Sequence, residues 1–222
     1  MEDMDLTTFL IDLDETVYPV DTGIWPAARM RMAQYMHDVL HLRWEDIPRI
    51  REGLYHEYGT TTRGLKVIYD IDIEEFLEYV HDLPISEMLQ PSPELGEMLR
   101  QYPQRKIVFT NATRKHAERV LSALGIADCF EEIVDIYAIQ PYCKPQHEAF
   151  DIALRMARID DPRQCLFVDD TGKNLDAARA MGFVTVKVGS PYDMADYSIP
   201  MLLNLPDVLP GNGDHGKTSR EA

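Results

Sequence analysis

The chain has 222 residues, with 38 acidic against 22 basic side chains and a formal net charge of −16. This charge repels phosphodiester backbones and anionic lipid, so we expect no nucleic acid polymer and no membrane among its partners. The length suits one domain of ordinary size, or one domain that carries a smaller inserted module.

The first residues and the cysteines predict a cytoplasmic protein. The opening segment MEDMD is acidic and runs straight into an apolar stretch, without the basic region and cleavage site of a signal peptide. No apolar run approaches the roughly 18 residues that cross a bilayer. Cys129, Cys143 and Cys165 are widely spaced and include no CxxC pair, so a reducing compartment is expected.

Short apolar runs predict the strands of a buried parallel sheet. The runs lie at residues 8–11, 107–109, 130–136, 165–168 and 184–188, of which 130–136 is the weakest. Helical apolar stripes occupy 117–124 and 150–157, and Gly125 stands where a helix often ends. Strands that alternate with helices indicate an α/β fold with a doubly wound parallel sheet.

Residues 20–89 interrupt this alternation, because they show helical patterns and no convincing strand. We interpret them as a helical cap inserted into an α/β core that comprises residues 1–19 and 90–210. Residues 211–222 are polar and contain glycine, which predicts a disordered tail.

Pairs of carboxylates follow two of the predicted strands. The motif DLDET at 12–16 ends the first strand, and Asp169 and Asp170 end the strand at 165–168. Ligands bind α/β sheets at such strand ends. Like charges about 4 Å apart repel by roughly 4 kcal/mol at an intermediate dielectric, so the cluster needs a cation, and hard carboxylate oxygens suit Mg2+. The alternative is that these acids only cap turns and helix N-termini.

Two further polar segments fit phosphate binding. Thr110 and Asn111 follow the strand at 107–109, and Lys144 lies in a loop before Pro145. A hydroxyl and backbone amides at a strand-to-helix turn donate hydrogen bonds to phosphate, and a lysine adds a mobile positive charge. Each residue also has an ordinary interpretation, as a helix N-cap or a solvated lysine, so the informative feature is their order along the chain.

That order, strand-DxDxT, strand-Thr-Asn, loop-Lys-Pro and strand-Asp-Asp, resembles the four motifs of the haloacid dehalogenase superfamily up to about Gly189. The strings TVYPVDTGIW, YGTTTRGL, VHDLP and FTNATRKHAERVLSALGI are similar to the pyrimidine 5'-nucleotidase branch. The resemblance implies that the strand before Asp12 lies between the strands before Thr110 and Asp169. It also implies that the cap moves on hinges near 17–23 and 89–93.

The same resemblance implies a role for each motif residue. Asp12 would attack phosphorus, and Asp14 would serve first as acid and then as base. The phosphate-binding residues would be Thr16, Thr110, Asn111 and Lys144. The Mg2+ ligands would be Asp12, the backbone carbonyl of Asp14, Asp169 and Asp170.

The predicted cap offers less specific candidates. Trp25 and Tyr58 could stack on a base, and Arg63 could reach the phosphate or sugar of a substrate, but residues of these types equally pack or face solvent. The seven histidines form no HxH or HExxH zinc motif, and none is assigned a catalytic role.

These features predict a Mg2+-dependent phosphatase that hydrolyses a small-molecule phosphate monoester through an aspartyl phosphate, with a pyrimidine nucleoside 5'-monophosphate as one candidate substrate. A phosphomutase uses the same groups and stays open. A 2-haloacid dehalogenase has no use for Asp14 as an acid, because halide leaves without a proton. A phosphorylation-switched receiver module carries its motifs in another order, and an inactive scaffold would not need every motif residue. A monomer or homodimer is expected.

Overall fold

A sheet of six parallel strands lies at the centre of this computed structural model, which describes residues 6–210. The strands are Thr8–Ile11 (β1), Arg105–Phe109 (β2), Glu132–Val134 (β3), Cys165–Asp169 (β4), Val184–Val188 (β5) and Tyr197–Ile199 (β6). Their order across the sheet is β3-β2-β1-β4-β5-β6, and every neighbouring pair is parallel. The predicted doubly wound α/β sheet is confirmed, and the predicted tail at 211–222 lies outside the described residues.

The strand order places β1 where the direction of winding reverses. Ile11 pairs with Val108 of β2 on one side and with Val168 of β4 on the other. The three strands therefore end side by side, and a crevice at such a reversal is where α/β sheets bind ligands. This order confirms the expected position of β1 between β2 and β4. It also differs from the 2-1-3-4-5 order of receiver domains, which removes that alternative.

Two strands differ from the sequence prediction, and each difference has a physical reason. β2 begins at Arg105 and includes Lys106, whose side chain is 7% exposed. Its ammonium group donates to the carbonyls of Tyr102 and Gln104 at 2.6 and 2.9 Å, so this lysine has hydrogen-bond acceptors in a buried strand although it forms no ion pair among residues 6–210. β6 was not predicted, because this three-residue edge strand buries only Ile199 and shows no apolar run.

The described part of the chain also contains nine α-helices. They are Ile24–Asp38 (α1), Ile47–Tyr58 (α2), Thr61–Tyr69 (α3), Ile73–His81 (α4), Ile85–Met88 (α5), Pro93–Arg100 (α6), Arg114–Leu124 (α7), His147–Ala157 (α8) and Gly172–Ala180 (α9). α1 to α5 follow one another between β1 and β2 without a strand, as the sequence predicted. The division of the chain into a core and a cap at the predicted limits stays a proposal.

The stripes at 117–124 and 150–157 form parts of α7 and α8. Gly125 ends α7 with φ of 70°, a left-handed conformation that glycine adopts at little cost. At the other end of α7, the hydroxyl of Thr113 accepts a hydrogen bond from the backbone N–H of His116 at 3.2 Å. This cap fixes the start of a helix that reaches the carboxyl end of the sheet. No helix between residues 6 and 210 is long and apolar enough to cross a bilayer.

An aromatic cluster of Phe109, Phe150 and Phe167 forms an apolar layer, called here the floor, beneath the carboxyl ends of the central strands. Phe150 packs edge-on against Phe109 and Phe167, with ring centroids 5.2 and 5.3 Å apart. All three are fully buried. Charged groups placed above this floor lose most of their hydration, so their mutual interactions are strong and each needs a partner.

Candidate active site

A cavity of about 660 Å³ opens above the carboxyl ends of β1, β2 and β4. Its walls come from two parts of the chain. The sheet side contributes Asp12, Asp14, Thr110, Asn111, Lys144 and Asp170, and the side formed by helices α1 to α4 contributes, among others, Trp25, Arg29, Arg51, Tyr55 and His81. The volume suits a small organic molecule. Most of the predicted motif residues are thus brought to one site by the strand order.

Lys144 lies at the bottom of this site, with its side chain 1% exposed. Its ammonium group is 2.6 Å from Asp12 Oδ1, 2.8 Å from Asp169 Oδ2 and 2.7 Å from the carbonyl oxygen of Phe109. Burial alone would lower the pKa of Lys144, but the two carboxylates outweigh it and raise the pKa. Lys144 is therefore a permanent cation that joins the loop after β3 to β1 and β4.

Asp12 is buried directly after β1 and presents one oxygen to each of two donors. Oδ1 accepts from Lys144, and Oδ2 accepts from the hydroxyl of Thr16 at 3.1 Å. Burial raises the pKa of Asp12 well above its usual range; Lys144 opposes this shift, whereas the charges of Asp169 and Asp170 add to it. A carboxylate in this position gains from any further positive charge nearby.

The two adjacent aspartates after β4 differ in what surrounds them. Asp169 is fully buried and accepts hydrogen bonds from Lys144, Thr171 N and Asn174 Nδ2 at 2.8 to 3.0 Å. Asp170 lines the cavity. Burial, followed by the charge of Asp169, raises the pKa of Asp170 to about 7.

The acidic cluster fits a divalent cation by its donor set. Asp12, Asp169 and Asp170 each offer a carboxylate oxygen, and these atoms lie within 4.8 Å of one another. Lys144 bonds to Asp12 and Asp169 but not to Asp170, so one cation faces three carboxyl groups, and hard oxygen donors of this kind suit Mg2+. Asp170 faces the cavity and is the most accessible of the three.

Asp14 lies two residues beyond Asp12 and is held by two donors on the same oxygen. Tyr18 Oη donates to Oδ1 at 2.6 Å, and His116 Nε2 lies 2.8 Å from Oδ1. Burial alone would raise the pKa of Asp14, but the positive charge of His116 and these hydrogen bonds outweigh it and lower the pKa to about 2. Oδ2 has no partner among residues 6–210 and remains available to a molecule in the cavity.

A second histidine stacks on His116. The rings of His81 and His116 are 4.3 Å apart with an interplanar angle of 17°. His81 Nδ1 is 3.4 Å from the hydroxyl of Thr113. Burial, and then the positive charge of His116, lower the pKa of His81 to about 3. The sequence analysis assigned no histidine a role, because His116 is 102 positions from Asp14 and carries no local motif.

We expect His81 to make the protein less stable as the pH falls from 7 to 5. The pKa of His81 is lower in the folded chain than in the unfolded chain. Below about pH 6.5 the unfolded chain therefore takes up a proton that the folded chain does not, and the free energy of unfolding decreases. His81→Phe keeps a ring against His116 but has no group to protonate. We expect this variant to lose up to about 2 kcal/mol less unfolding free energy than the wild type between pH 7 and pH 5. Urea unfolding at both pH values measures the difference.

The control is His147→Phe, which changes an exposed histidine at the start of α8. This variant should keep the pH dependence of the wild type. Equal losses of stability in the wild type and His81→Phe between pH 7 and pH 5 would contradict the prediction.

Thr110 and Asn111 follow β2 at the cavity wall. Thr110 Oγ1 accepts from the backbone N–H of Ala112 at 2.9 Å, so its own proton is free to be donated to a bound oxygen. The side-chain amide of Asn111 binds the backbone of Lys144 in both directions, at 2.9 and 3.1 Å. Asn111 thereby holds the lysine loop in place. Its direct contact with phosphate, like that of Thr16, stays a prediction.

The predicted substrate-binding residues outside the motifs lie in different places. Trp25 lines the cavity. Tyr58 packs against the hydrophobic core, and neither it nor Arg63 is among the residues that form the cavity wall. Arg29 and Arg51 were missed, because a single arginine in a helix carries no sequence signal of its own.

Comparison with known proteins places this site in a family context. A model of the haloacid dehalogenase-like hydrolases matches residues 6–182. Phosphate metabolism protein 8 of Saccharomyces cerevisiae is 28% identical over 190 residues, which cover 78% of this chain and 59% of that protein. Phosphoglycolate phosphatase of Haemophilus influenzae is 30% identical over 148 residues, 64% of each chain.

The match to both curated relatives thus spans about three fifths of their length. Among solved structures, a HAD phosphatase from Thermococcus onnurineus superposes with a TM-score of 0.64 at 19% identity, over 93% of this chain and 99% of that one. At this identity the likeness shows the fold alone.

Proposed function

Because this chain belongs to the haloacid dehalogenase-like hydrolase family, we propose that it is a magnesium-dependent phosphatase that hydrolyses a small-molecule phosphate monoester through an aspartyl phosphate. The observation that carries the proposal is the arrangement of Asp12, Asp14 and Lys144. A buried carboxylate is held by a buried ammonium at 2.6 Å, and a second carboxylate with a free oxygen lies two residues away in the same cavity.

Asp12 is the nucleophile in this proposal. Its Oδ1 is held by Lys144 and its Oδ2 by Thr16, so the carboxylate is fixed before a substrate arrives. One of its oxygens attacks phosphorus, the bond from phosphorus to the ester oxygen breaks, and Asp12 becomes an aspartyl phosphate. Water then attacks that phosphorus, releases inorganic phosphate and restores the carboxylate.

Asp14 moves the protons. Because its pKa is about 2, Asp14 must take up a proton as the negative charge of the substrate approaches. In the first step it delivers that proton to the departing ester oxygen, and in the second step it takes one from the attacking water. The hydrogen bonds from Tyr18 and His116 both go to Oδ1, which leaves Oδ2 to face the substrate. This geometry also argues against a dehalogenase. The halide that leaves in that reaction needs no proton, so it does not require an acid at the position of Asp14.

Positive charge and hydrogen-bond donors hold the phosphoryl group. Lys144 supplies a fixed charge, and the Thr110 hydroxyl has a proton to donate. Asp12, Asp170 and the backbone carbonyl of Asp14 would hold Mg2+, with Asp169 beside them. When bound, the metal would neutralise the carboxylates and the anionic substrate, so that the nucleophile and the phosphate can approach. In phosphoryl transfer, positioning and electrostatic stabilisation supply most of the catalysis.

The leaving group is the finer part of the proposal. The 660 Å³ cavity with Trp25 and Tyr55 in its wall has room for a nucleoside, which supports a nucleoside 5'-monophosphate as a candidate. The relative named phosphoglycolate phosphatase supports a smaller phosphorylated acid as another.

Release of inorganic phosphate tests the proposal. We expect turnover of several members of a panel of nucleotides, sugar phosphates and phosphorylated acids with Mg2+, and a loss of at least about 100-fold in excess chelator, because the carboxylate cluster then repels the anionic substrate. Adding Mg2+ beyond the chelator should restore the rate. Full turnover in excess chelator would refute the metal dependence, and no phosphate release from any substrate would refute the phosphatase.

A further inference from the structure

Two arginines from the helical side line the cavity without an acidic partner. Arg29 lies on α1 and Arg51 on α2, and both contribute to the cavity wall. Within residues 6–210, no carboxylate oxygen lies within 4.0 Å of either guanidinium group. The proposed mechanism uses neither residue, because the phosphoryl group is held from the sheet side.

The lack of an acidic partner distinguishes this pair from its neighbours on the same helices; the other arginines among residues 6–210 that lack one, Arg63, Arg119, Arg155 and Arg158, do not line the cavity. The chain contains 38 acidic residues, and nearby arginines on the same helices do find them. Arg31 lies 3.4 Å from Asp82, and Arg49 lies 3.6 Å from Asp46. Both arginines among residues 6–210 that line the cavity are therefore without an ion pair, whereas the other arginine of each of their helices has one.

Arg51 is also partly withdrawn from water. Its Nε is buried and has no hydrogen-bond partner among the described residues. Burial, and then the positive charge of Arg29, lower the pKa of Arg51. A buried donor without a partner and a like charge nearby both cost free energy, and a bound anion would relieve both.

The glutamates that line the same cavity do not form ion pairs with Arg29 or Arg51. Glu52 lies 3.9 Å from His56 Nε2 on its own helix. Glu15 is close enough to Arg29 to feel its charge but not to form an ion pair with it. Arg29 stands over the ring of Trp25, with its guanidinium carbon 5.9 Å from the ring centroid, which restrains it at the wall.

We propose that Arg29 and Arg51 bind a second anionic group of the substrate, a carboxylate or a second phosphate, while the Thr110 hydroxyl and the charge of Lys144 act on the phosphoryl group that is transferred. The inference rests on the proposed phosphatase and narrows its substrates to phosphomonoesters with two anionic groups. Guanidinium groups bind carboxylate and phosphate oxygens in a fixed planar geometry, so a pair of them selects for such a group.

The test compares substrates that differ mainly in the second anion. Three pairs are suitable. They are 3-phosphoglycerate with glycerol 3-phosphate, orotidine 5'-monophosphate with uridine 5'-monophosphate, and fructose 1,6-bisphosphate with fructose 6-phosphate. In at least one pair, we expect kcat/KM for the member with two anionic groups to exceed that for the other member by about 10-fold or more. A preference in the first two pairs identifies a carboxylate, and a preference in the third alone identifies a phosphate.

The variants assign the preference to the arginines. Arg51→Met should bring the ratio within each pair towards 1, and Arg51→Lys should keep part of it. Arg49→Met changes an exposed arginine of the same helix and should leave the ratio unchanged. Equal kcat/KM for both members of every pair, or a preference that survives Arg51→Met, would overturn the inference while the phosphatase stands.

A binding measurement separates this inference from the proposed function. Calorimetric titration of the same pairs into Asp12→Asn with Mg2+ reports affinity without turnover. Tighter binding of the doubly anionic members, lost in Asp12→Asn with Arg51→Met, supports the anion site even if no substrate releases phosphate. Equal affinities within every pair would overturn the site whatever the turnover data show.

Discussion

Asp12→Asn is expected to lower phosphate release by at least about 1000-fold at saturating substrate and Mg2+. The asparagine amide has nearly the same shape but cannot attack phosphorus. Lys144 keeps its contacts with Asp169 and Phe109, so the fold should survive and the melting temperature should change little. Steady-state kinetics together with a thermal melt measure both effects.

The control for this substitution is Asp151→Asn, which removes an exposed carboxylate from α8 and should retain wild-type turnover. If Asp12→Asn retained a rate within about 10-fold of the wild type, Asp12 would not be the nucleophile.

The matched variant Asp14→Asn separates the two steps of the proposed reaction. Without its acid and base, the enzyme should still transfer a phosphoryl group from an aryl phosphate, whose leaving group departs without a proton, and should then release it slowly. Intact-mass measurement should find a phosphate adduct on this variant and none on Asp12→Asn. Adducts of equal yield from aryl and alkyl phosphates would show that Asp14 is not the proton donor.

Lys144→Met should destabilise the protein by about 3–5 kcal/mol and abolish turnover. The methionine fits the space of the lysine stem but leaves the carboxylates of Asp12 and Asp169 without their shared cation in a nearly dry environment. Urea unfolding without added metal gives the change in the free energy of unfolding.

Two further variants test this explanation. Lys66→Met breaks an exposed pair with Asp70 and should cost less than about 1 kcal/mol. Combining Lys144→Met with Asp12→Asn removes one of the two unpaired carboxylates and should recover part of the lost stability, because the two sites are in direct contact. A loss below about 1 kcal/mol in Lys144→Met alone would show that water or other groups already compensate the carboxylates.

Much of the fold could be predicted from the sequence because its signals are local. The apolar run at residues 8–11 has the limits of β1, and the glycine after α7 adopts the conformation that its position indicated. The acidic and polar residues that follow the strands meet at one edge, since parallel strands end side by side. Edge strand β6 was missed because it buries too little apolar surface to leave a pattern.

The ordered motifs also predicted which family the chain belongs to, but they did not predict how neighbouring motif residues divide their tasks. Asp169 and Asp170 look alike in sequence, yet one is fully buried and bonded to Lys144 and Asn174, whereas the other faces the cavity. Asn111 follows the strand like a phosphate ligand, yet its side chain holds the backbone of Lys144. Alternate residues at a strand end point in different directions, so only packing decides these roles.

The sequence by itself determined five of the six strands, the order of the motifs and the carboxylate pairs, because each of these depends on residues adjacent along the chain. Only the tertiary structure decided that His116 orients Asp14 from 102 positions away, and that Arg29 and Arg51 face the same cavity as Lys144. These contacts join separate helices to the sheet edge, and their distances depend on how α1, α2 and α7 pack. No periodic pattern records that packing, since each side chain involved is a single polar residue on an otherwise ordinary helix.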